Sequence, residues 1–230
     1  QAYKELLPPE GPVRTQIVGE ITPQTEEQAQ RVKEFMNYQI TYDMEEYDHE
    51  LDQMLFHLPL AGSSFKKVYY EGVKQRAVSK FVPAEDIVIP YTATDLESCE
   101  RITHVVKMMG NELRKKQIGG MYRDVDISPS SVDTNDAQDK YNELDGLTET
   151  QNAEDIVLLE FHCDLDIPGF EDKNITTGEA TGIKLPYVIT VDEGTNKVLS
   201  IYRNYREGDP LKKKIQYFVH YKFLPGLGFY

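Results

Sequence analysis

Residues 58–70, which read LPLAGSSFKKVYY, decide the fold because the spacing of apolar residues changes within them. In the residues before this segment, apolar side chains recur every three or four positions, as on one face of an α-helix. Pro59 and Gly62 are expected to end that helix, because proline lacks an amide hydrogen and glycine tolerates the backbone that follows a helix. From Phe65 onward apolar and polar residues alternate, which is typical of β-strands. The segment therefore predicts a chain that is helical before it and strand-rich after it.

The predicted N-terminal helix is long and amphipathic. Residues 1–21 are rich in proline and begin as an extended connector, and Thr22 followed by Pro23 is typical of a helix start. The apolar stripe consists of Ala29, Val32, Met36, Ile40, Met44, Tyr47, Leu51, Met54, Leu55 and Leu58. A kink is expected at residues 38–42, where β-branched and aromatic side chains are concentrated, with Asp43 opening the second half.

The residues after the helix predict a mostly antiparallel β meander and therefore an α+β fold. The expected strands are residues 65–70, 73–81, 87–89, 102–109, 155–165, 183–191, 197–205 and 215–223. A short helix is expected at residues 111–118, followed by two glycines. Residues 124–153 are rich in Asp and Glu and are expected to form an acidic loop. The chain is divided accordingly into a connector and helical segment, residues 1–62, and an α+β region, residues 63–230.

Charge and composition disfavour some classes of function. The chain has 230 residues, with 25 basic and 39 acidic side chains, and a formal net charge of −14. A protein that grips nucleic-acid phosphates over a broad surface needs clustered Lys and Arg, so that class is disfavoured, whereas a protein that surrounds DNA without tight contact is compatible with this charge. No run of about 18 apolar residues occurs, so no membrane span is expected. Cys99 and Cys163 are expected to be free, buried thiols.

Motifs for catalysis or cofactor binding are weak throughout the sequence. A phosphate-binding loop and a nucleophile elbow are both missing from it. His162, Cys163, Asp164 and Asp166 could supply metal ligands, but alternate side chains of a strand point to opposite faces, so a core-facing Cys163 is the expected role. The many acidic pairs leave open a hydrolase or a carbohydrate-binding module that uses acidic clusters. The sequence therefore predicts no catalytic residue, no cofactor and no metal.

A basic segment follows the seventh predicted strand. Lys212, Lys213 and Lys214 are expected to lie at a solvated hairpin tip. Because Arg203 and Arg206 shortly precede them, a local contact with phosphate is the alternative.

Five stretches of the chain resemble the portal proteins of short-tailed double-stranded DNA bacteriophages, the head-to-tail connector family. They are LPLAGSSFKKVYY at residues 58–70, VPAEDIVIPY at 82–91, LPYVIT at 185–190, VLSIYRNY at 198–205 and FVHYKFLPGLGFY at 218–230. The last stretch is the most specific. The similarity extends in order from the first helix to the end of the sequence, and only the acidic region lacks a clear counterpart.

This resemblance implies a structural subunit of the virion and not an enzyme. Portal proteins form a ring of about twelve copies at one capsid vertex, which assembles in the host cytoplasm with capsid and scaffolding proteins. The terminase large subunit docks on the ring, double-stranded DNA passes through its channel without sequence specificity, and tail adaptor proteins attach later. The chain would be the wing-type region of a longer protein, without its stem and clip. The motif residues expected to act in assembly are Arg203, Asn204, Tyr205, Tyr221, Pro225, Gly226, Gly228, Phe229 and Tyr230.

Overall fold

The computed structural model describes residues 2–8, 11–72, 74–127, 155–174 and 177–224. The chain divides into two compact units, of which the first consists of Gln1–Glu85 with Gln216–Tyr230 and the second of Asp86–Ile215. Long helices and antiparallel sheets occur together, so the predicted α+β class is confirmed. Within the described residues, no helix combines the length and the apolar composition needed to cross a membrane.

Most of the helical residues precede the strands. The elements are α1 (Ala2–Leu6), α2 (Pro23–Tyr38), a π-helical turn (Gln39–Asp43), α3 (Tyr47–Ala61), β1 (Ser63–Glu71), β2 (Arg76–Pro83), a 3-10 turn (Ala84–Asp86), β3 (Ile87–Val88), β4 (Arg101–Met109), α4 (Gly110–Ile118), β5 (Asp155–Leu165), β6 (Leu185–Asp192), β7 (Val198–Arg203) and β8 (Phe218–Lys222). The strand order is β2-β1-β8 in the first unit and β3-β4-β5-β6-β7 in the second. The second sheet follows the predicted meander apart from its long connections, whereas β8 returns to pair with β1, a pairing that a simple meander does not contain.

The start of α2 follows the predicted capping chemistry. Thr22 is the N-cap and Pro23 is the first helical residue. The Thr25 amide donates to Thr22 Oγ1 at 3.2 Å, and the Thr22 amide donates to Thr25 Oγ1 at 2.9 Å. These reciprocal bonds satisfy two amides that a helix start otherwise leaves without partners. The preceding connector is not wholly extended, because Ala2–Leu6 form the short helix α1.

The predicted kink in the long helix is confirmed, although the second half starts later than expected. The π-helical turn Gln39–Asp43 occupies the predicted position. The next helix begins at Tyr47 and not at Asp43, because Met44 leaves the helical backbone with φ −88° and ψ 79°.

The end of α3 corrects the role predicted for Pro59. This proline lies inside the helix, close to its last residue. A proline removes one intrahelical hydrogen bond, and near a helix terminus that loss does not end the helix. The helix ends at Ala61, where Gly62 follows with φ +75°, a left-handed conformation that suits glycine.

The two halves of the long helix bury their apolar stripes to different extents. α3 packs against β1 and β2, and its Leu51 and Met54 are buried. α2 has no buried residue, and Val32, Phe35 and Met36 are 50%, 60% and 41% exposed. The predicted stripe is therefore present in both helices, but among the described residues only α3 has fully buried members of it.

Two carboxylates at the beginning of α3, which we call the carboxylate clamp (Glu46 and Glu50), hold the edge of β2. The Phe81 amide donates to Glu50 Oε2 at 2.6 Å, and the Ser79 amide donates to Glu46 Oε1 at 3.3 Å. Arg76 forms an ion pair with Glu46 at 2.7 Å. Burial opposes ionisation of Glu46, but hydrogen bonds from backbone amides and from Arg76 outweigh it and lower its pKa. The clamp thus supplies acceptors for amides that an edge strand would otherwise leave unpaired.

A buried cation lies beside the carboxylate clamp. Lys66 of β1 is 2% exposed, and its ammonium lies over the ring of Tyr47 at 3.9 Å from the centroid. Burial lowers the pKa of Lys66 to about 8, while the charges of Glu50 and Glu46 oppose this shift. The first unit therefore buries the ammonium group of Lys66, and the nearby carboxylates only partly offset the free-energy cost of removing this charge from water.

The second unit has an apolar core between its sheet and α4. The predicted short helix is confirmed, and it packs against one face of the sheet. The buried core cluster consists of Met108, Leu113, Ile156, Leu158 and Leu199. After α4, the Arg123 amide donates to the carbonyl of Leu199 at 2.9 Å, so this segment covers part of the edge of β7.

The carboxylate clamp predicts a specific loss of stability. We expect Glu50→Ala to lower the free energy of unfolding by about 1–3 kcal/mol, because the covered Phe81 amide loses its acceptor. Asp52→Ala is the matched control, since Asp52 is an exposed acid on the same helix, and it should change stability by no more than about 0.5 kcal/mol. Urea unfolding of both variants measures the difference, and equal losses would contradict the role of the clamp.

Burial of Lys66 predicts a dependence of stability on alkaline pH. Its pKa is about 8 in the folded chain and 10.5 as the ordinary value, so the unfolded chain binds more protons between these values. Stability should therefore rise as the pH rises from 8 towards 10.5. We expect the free energy of unfolding of the wild type to increase between about pH 8 and 9.5 relative to that of Lys66→Met. Parallel pH profiles for the two proteins would show that Lys66 does not titrate in this range.

Candidate functional site

The predicted site residue Asn204 fixes the base of a loop in the second unit. Its side chain is among the most buried of the chain, with 1% exposure. The Asn204 amide donates to the carbonyl of Pro186 at 2.8 Å, and its own carbonyl accepts from the Ile215 amide at 3.0 Å. Asn204 Nδ2 also donates to the carbonyl of Ile215 at 3.3 Å. These bonds join the two ends of the loop at residues 205–214.

A cleft of about 700 Å3 lies beside this loop, within the second unit. Its lining includes Phe170, Glu171, Arg203, Tyr205, Asp209 and Lys212. Phe170 is 58% exposed, and the guanidinium carbon of Arg203 lies 6.0 Å from the centroid of its ring. The cleft thus combines an accessible aromatic ring with a cation that lies over it.

Two of the carboxylates that line the cleft, Asp209 and Glu171, accept hydrogen bonds that shape the loops. Asp209 accepts hydrogen bonds from the amides of Lys213 and Leu211, each at 3.0 Å, and Glu171 accepts one from the amide of Gly169 at 2.9 Å. These backbone donors lower the pKa of both carboxyl groups. A catalytic proton donor needs a raised pKa, so this arrangement suits loop stabilisation better than acid catalysis.

Two of the three consecutive lysines are occupied by contacts within the second unit. Lys212 forms an ion pair with Asp172, which also accepts from Thr181 Oγ1 at 2.7 Å. Hydrogen bonding from Lys212 and Thr181 lowers the pKa of Asp172. Lys214 Nζ donates to the carbonyl of Cys99 at 2.9 Å. Of these lysines only Lys213 is exposed, so the geometry does not favour the phosphate contact considered from the sequence.

The structure brings together some of the predicted site residues. Arg203 and Tyr205 line the cleft, and Asn204 lies between them in sequence as the buried anchor. Tyr221 lies on β8 in the first unit. The other predicted site residues, which lie outside the described residues, are Pro225, Gly226, Gly228, Phe229 and Tyr230.

Sequence reasoning missed the residues that complete the cleft. Phe170 and Glu171 line the cleft, and Asp172 binds the lining residue Lys212. All three come from a segment for which the sequence predicts neither a helix nor a strand. The pairing of Lys212 with Asp172 spans 40 residues. Neither a period nor a motif connects positions so far apart in the sequence, so only the fold identifies their proximity.

The suspected metal-ligand segment of β5 has a structural role. His162 is 3% exposed, and its Nε2 lies 2.6 Å from Glu160 Oε1. Cys163 is only half-buried, so the core-facing role predicted for it belongs to His162 instead, and burial raises the pKa of the Cys163 thiol. The described residues hold no group of three or more His, Cys, Asp or Glu side chains that could bind a metal ion. Cys99 and Cys163 are both free thiols, as predicted, but of the two only Cys99 is buried.

A serine–histidine pair in the first unit was also missed by sequence reasoning. Ser63 Oγ lies 2.6 Å from His220 Nε2, and the His220 ring stacks on Phe65 with centroids 4.5 Å apart. Burial lowers the pKa of His220 to about 4, with a further contribution from the charge of Lys222. Ser63 is 1% exposed, so a substrate has no access to its hydroxyl. The pair therefore locks β1 to β8 and does not serve as a nucleophile and base.

No protein-family model matches the chain, and a search of curated proteins gives no match.

The Ser63–His220 pair predicts a loss of stability in acid. The pKa of His220 is about 4 in the folded chain and 6.5 as the ordinary value, so its stabilising contribution is complete above pH 6.5 and is lost as the pH falls towards 4. We expect His220→Gln, which keeps a hydrogen-bonding side chain, to flatten the pH dependence of the melting temperature in this window. His49→Gln, at an exposed position of α3, should retain the wild-type slope. An unchanged slope in His220→Gln would contradict this assignment.

Proposed function

We propose that the chain is the wing-type region of a subunit of a bacteriophage portal ring. The ring of about twelve copies would form the capsid vertex through which DNA is packaged and ejected. The terminase large subunit, capsid and scaffolding proteins, and tail adaptor proteins would be its partners. The single observation that carries this proposal is the occurrence, in order, of five portal-like stretches between residues 58 and 230.

The positions of these stretches in the fold support the proposal. Residues 58–70 end α3 and form most of β1, the central strand of the first sheet. Residues 185–190 belong to β6, and residues 198–205 contain β7 and the buried anchor Asn204. Three of the five stretches thus fall mostly in strands, which vary less among related proteins than surface loops do, and this favours a shared framework.

The chemistry of the described residues also favours a structural role. Asp209 and Glu171, which line the cleft, accept bonds from neighbouring amides, and the buried Ser63–His220 pair has no access for a substrate. The net charge of −14 is suited to a channel protein that lets double-stranded DNA pass without holding it or reading its sequence. These features are compatible with a subunit that assembles and docks partners.

A second candidate is a carbohydrate-binding module or hydrolase, which the cleft of the second unit favours. Exposed Phe170 could stack on a sugar ring, and Arg203 with the neighbouring carboxylates could bind its hydroxyl groups. This candidate predicts saturable binding of an oligosaccharide that Phe170→Ala abolishes. The portal proposal predicts no such binding.

Light scattering with negative-stain electron microscopy of the intact protein tests the portal proposal directly. We expect rings of about twelve subunits with a central channel. Particles without a channel at every concentration, together with oligosaccharide binding lost in Phe170→Ala, would overturn the proposal in favour of the second candidate.

A further inference from the structure

The exposed face of α2 lacks a packing partner within the described chain. None of its residues is buried, although Val32, Phe35 and Met36 form an apolar surface along the helix. Helices in proteins gain most of their stability from tertiary packing of an apolar face, and this applies to a helix of 16 residues such as α2. At 3.6 residues per turn, Arg31 and Lys33 lie on the two borders of this apolar surface. We call this set of five residues the α2 face.

A second exposed apolar surface occurs on the side of α3 that points away from the sheet. Phe56 and Leu60 lie one turn apart and are 70% and 73% exposed. Asp52 and Asp48 continue the same row towards the start of the helix, because all four residues are spaced four positions apart. We call this row the α3 face.

The two faces match in charge and in order. On the α2 face, Arg31 is followed one turn later by Phe35. On the α3 face, Asp52 is followed one turn later by Phe56. If the two helices lie parallel, the same register places a basic side chain next to an acidic one and an aromatic ring next to an aromatic ring. An antiparallel arrangement cannot satisfy both pairs together.

We propose that the α2 face of one copy of this chain docks in parallel on the α3 face of a second copy. This inference rests on the proposed function only in requiring that the chain assembles with copies of itself. Each copy uses its α2 face in one contact and its α3 face in another, so the contact is heterologous. Repetition of such a contact produces a ring or a filament. One helix face buries less than the ~800 Å2 per partner of a typical stable complex, so this contact alone associates weakly and acts together with other contacts between subunits.

Charge reversal on either face tests this contact. Variant one carries Arg31→Glu and Lys33→Glu, and variant two carries Asp48→Lys and Asp52→Lys. In a solution of variant one alone, both docking faces are acidic, and in a solution of variant two alone, both are basic. We expect self-association to weaken roughly tenfold or more in each variant by sedimentation velocity.

Mixing the two variants gives the decisive measurement. In an equimolar mixture every contact between unlike copies again joins a basic face to an acidic one, so association should return to the wild-type level. Lys107→Glu with Lys213→Glu is the matched control, because it changes the net charge by the same amount as variant one at exposed positions of the second unit, which contains neither face. Circular dichroism of each variant serves to check that its helices are retained.

The other possible outcomes test the contact and the portal proposal separately. A wild type that stays monomeric up to about 1 mM, variants that associate as the wild type does, or a mixture that fails to recover would overturn it. Rings that form normally from variant one and variant two would refute this contact and leave the portal proposal standing. Recovery by mixing into dimers or filaments, with no ring under any condition, would support the contact and refute the portal proposal.

Discussion

The first unit depends on how the covered edge of a sheet obtains its hydrogen bonds. β2 is an edge strand, and α3 lies against it, so water cannot serve all of its amides. Glu46 and Glu50 provide the acceptors, and they also place negative charge near the buried ammonium of Lys66. A single pair of carboxylates therefore fixes the position of the helix, satisfies the strand and partly offsets the cost of a buried cation.

In the second unit, too, a buried polar side chain binds a backbone group, but here the side chain is the neutral amide of Asn204. Asn204 is almost fully buried, and it binds the carbonyl of Pro186 and the backbone of Ile215, the residue that follows the loop. Asp209 and Glu171 then order the residues of the cleft by accepting amide hydrogen bonds. These two carboxylates could be mistaken for catalytic groups from the sequence, but their hydrogen bonds to backbone amides stabilise the loops. Their lowered pKa values follow from the donors that surround them.

The exposed helix surfaces of this chain are suited to contacts with other chains. Its polar groups are used to hold helices and loops in place, while α2 and the outer side of α3 keep large apolar side chains exposed. Such surfaces are typical of contacts with other chains. The proposed place in a portal ring and the proposed docking of α2 on α3 of another copy both give these exposed residues a partner.

The sequence alone determined the elements of this protein. Its periodicity predicted the long helix, the break at residues 38–42 and the strands, and local capping chemistry predicted the start at Pro23. These features depend on residues within a few positions of one another, so a linear pattern contains the necessary information. The predicted start of α3 and the predicted role of Pro59 were wrong, because the residue at which a helix begins or ends depends on the backbone conformation of single residues.

Only the tertiary structure decided which elements meet. The pairing of β8 with β1, the contact of Ser63 with His220 and the ion pair of Lys212 with Asp172 join residues that are far apart in the sequence. The burial of Asn204 also depends on distant residues, and the sequence predicted this residue only as a member of a motif. Contacts of this kind are selected by the packing of whole elements, and no local propensity records them. The sequence therefore determined the helices and strands, and long-range packing decided the cleft and the core contacts.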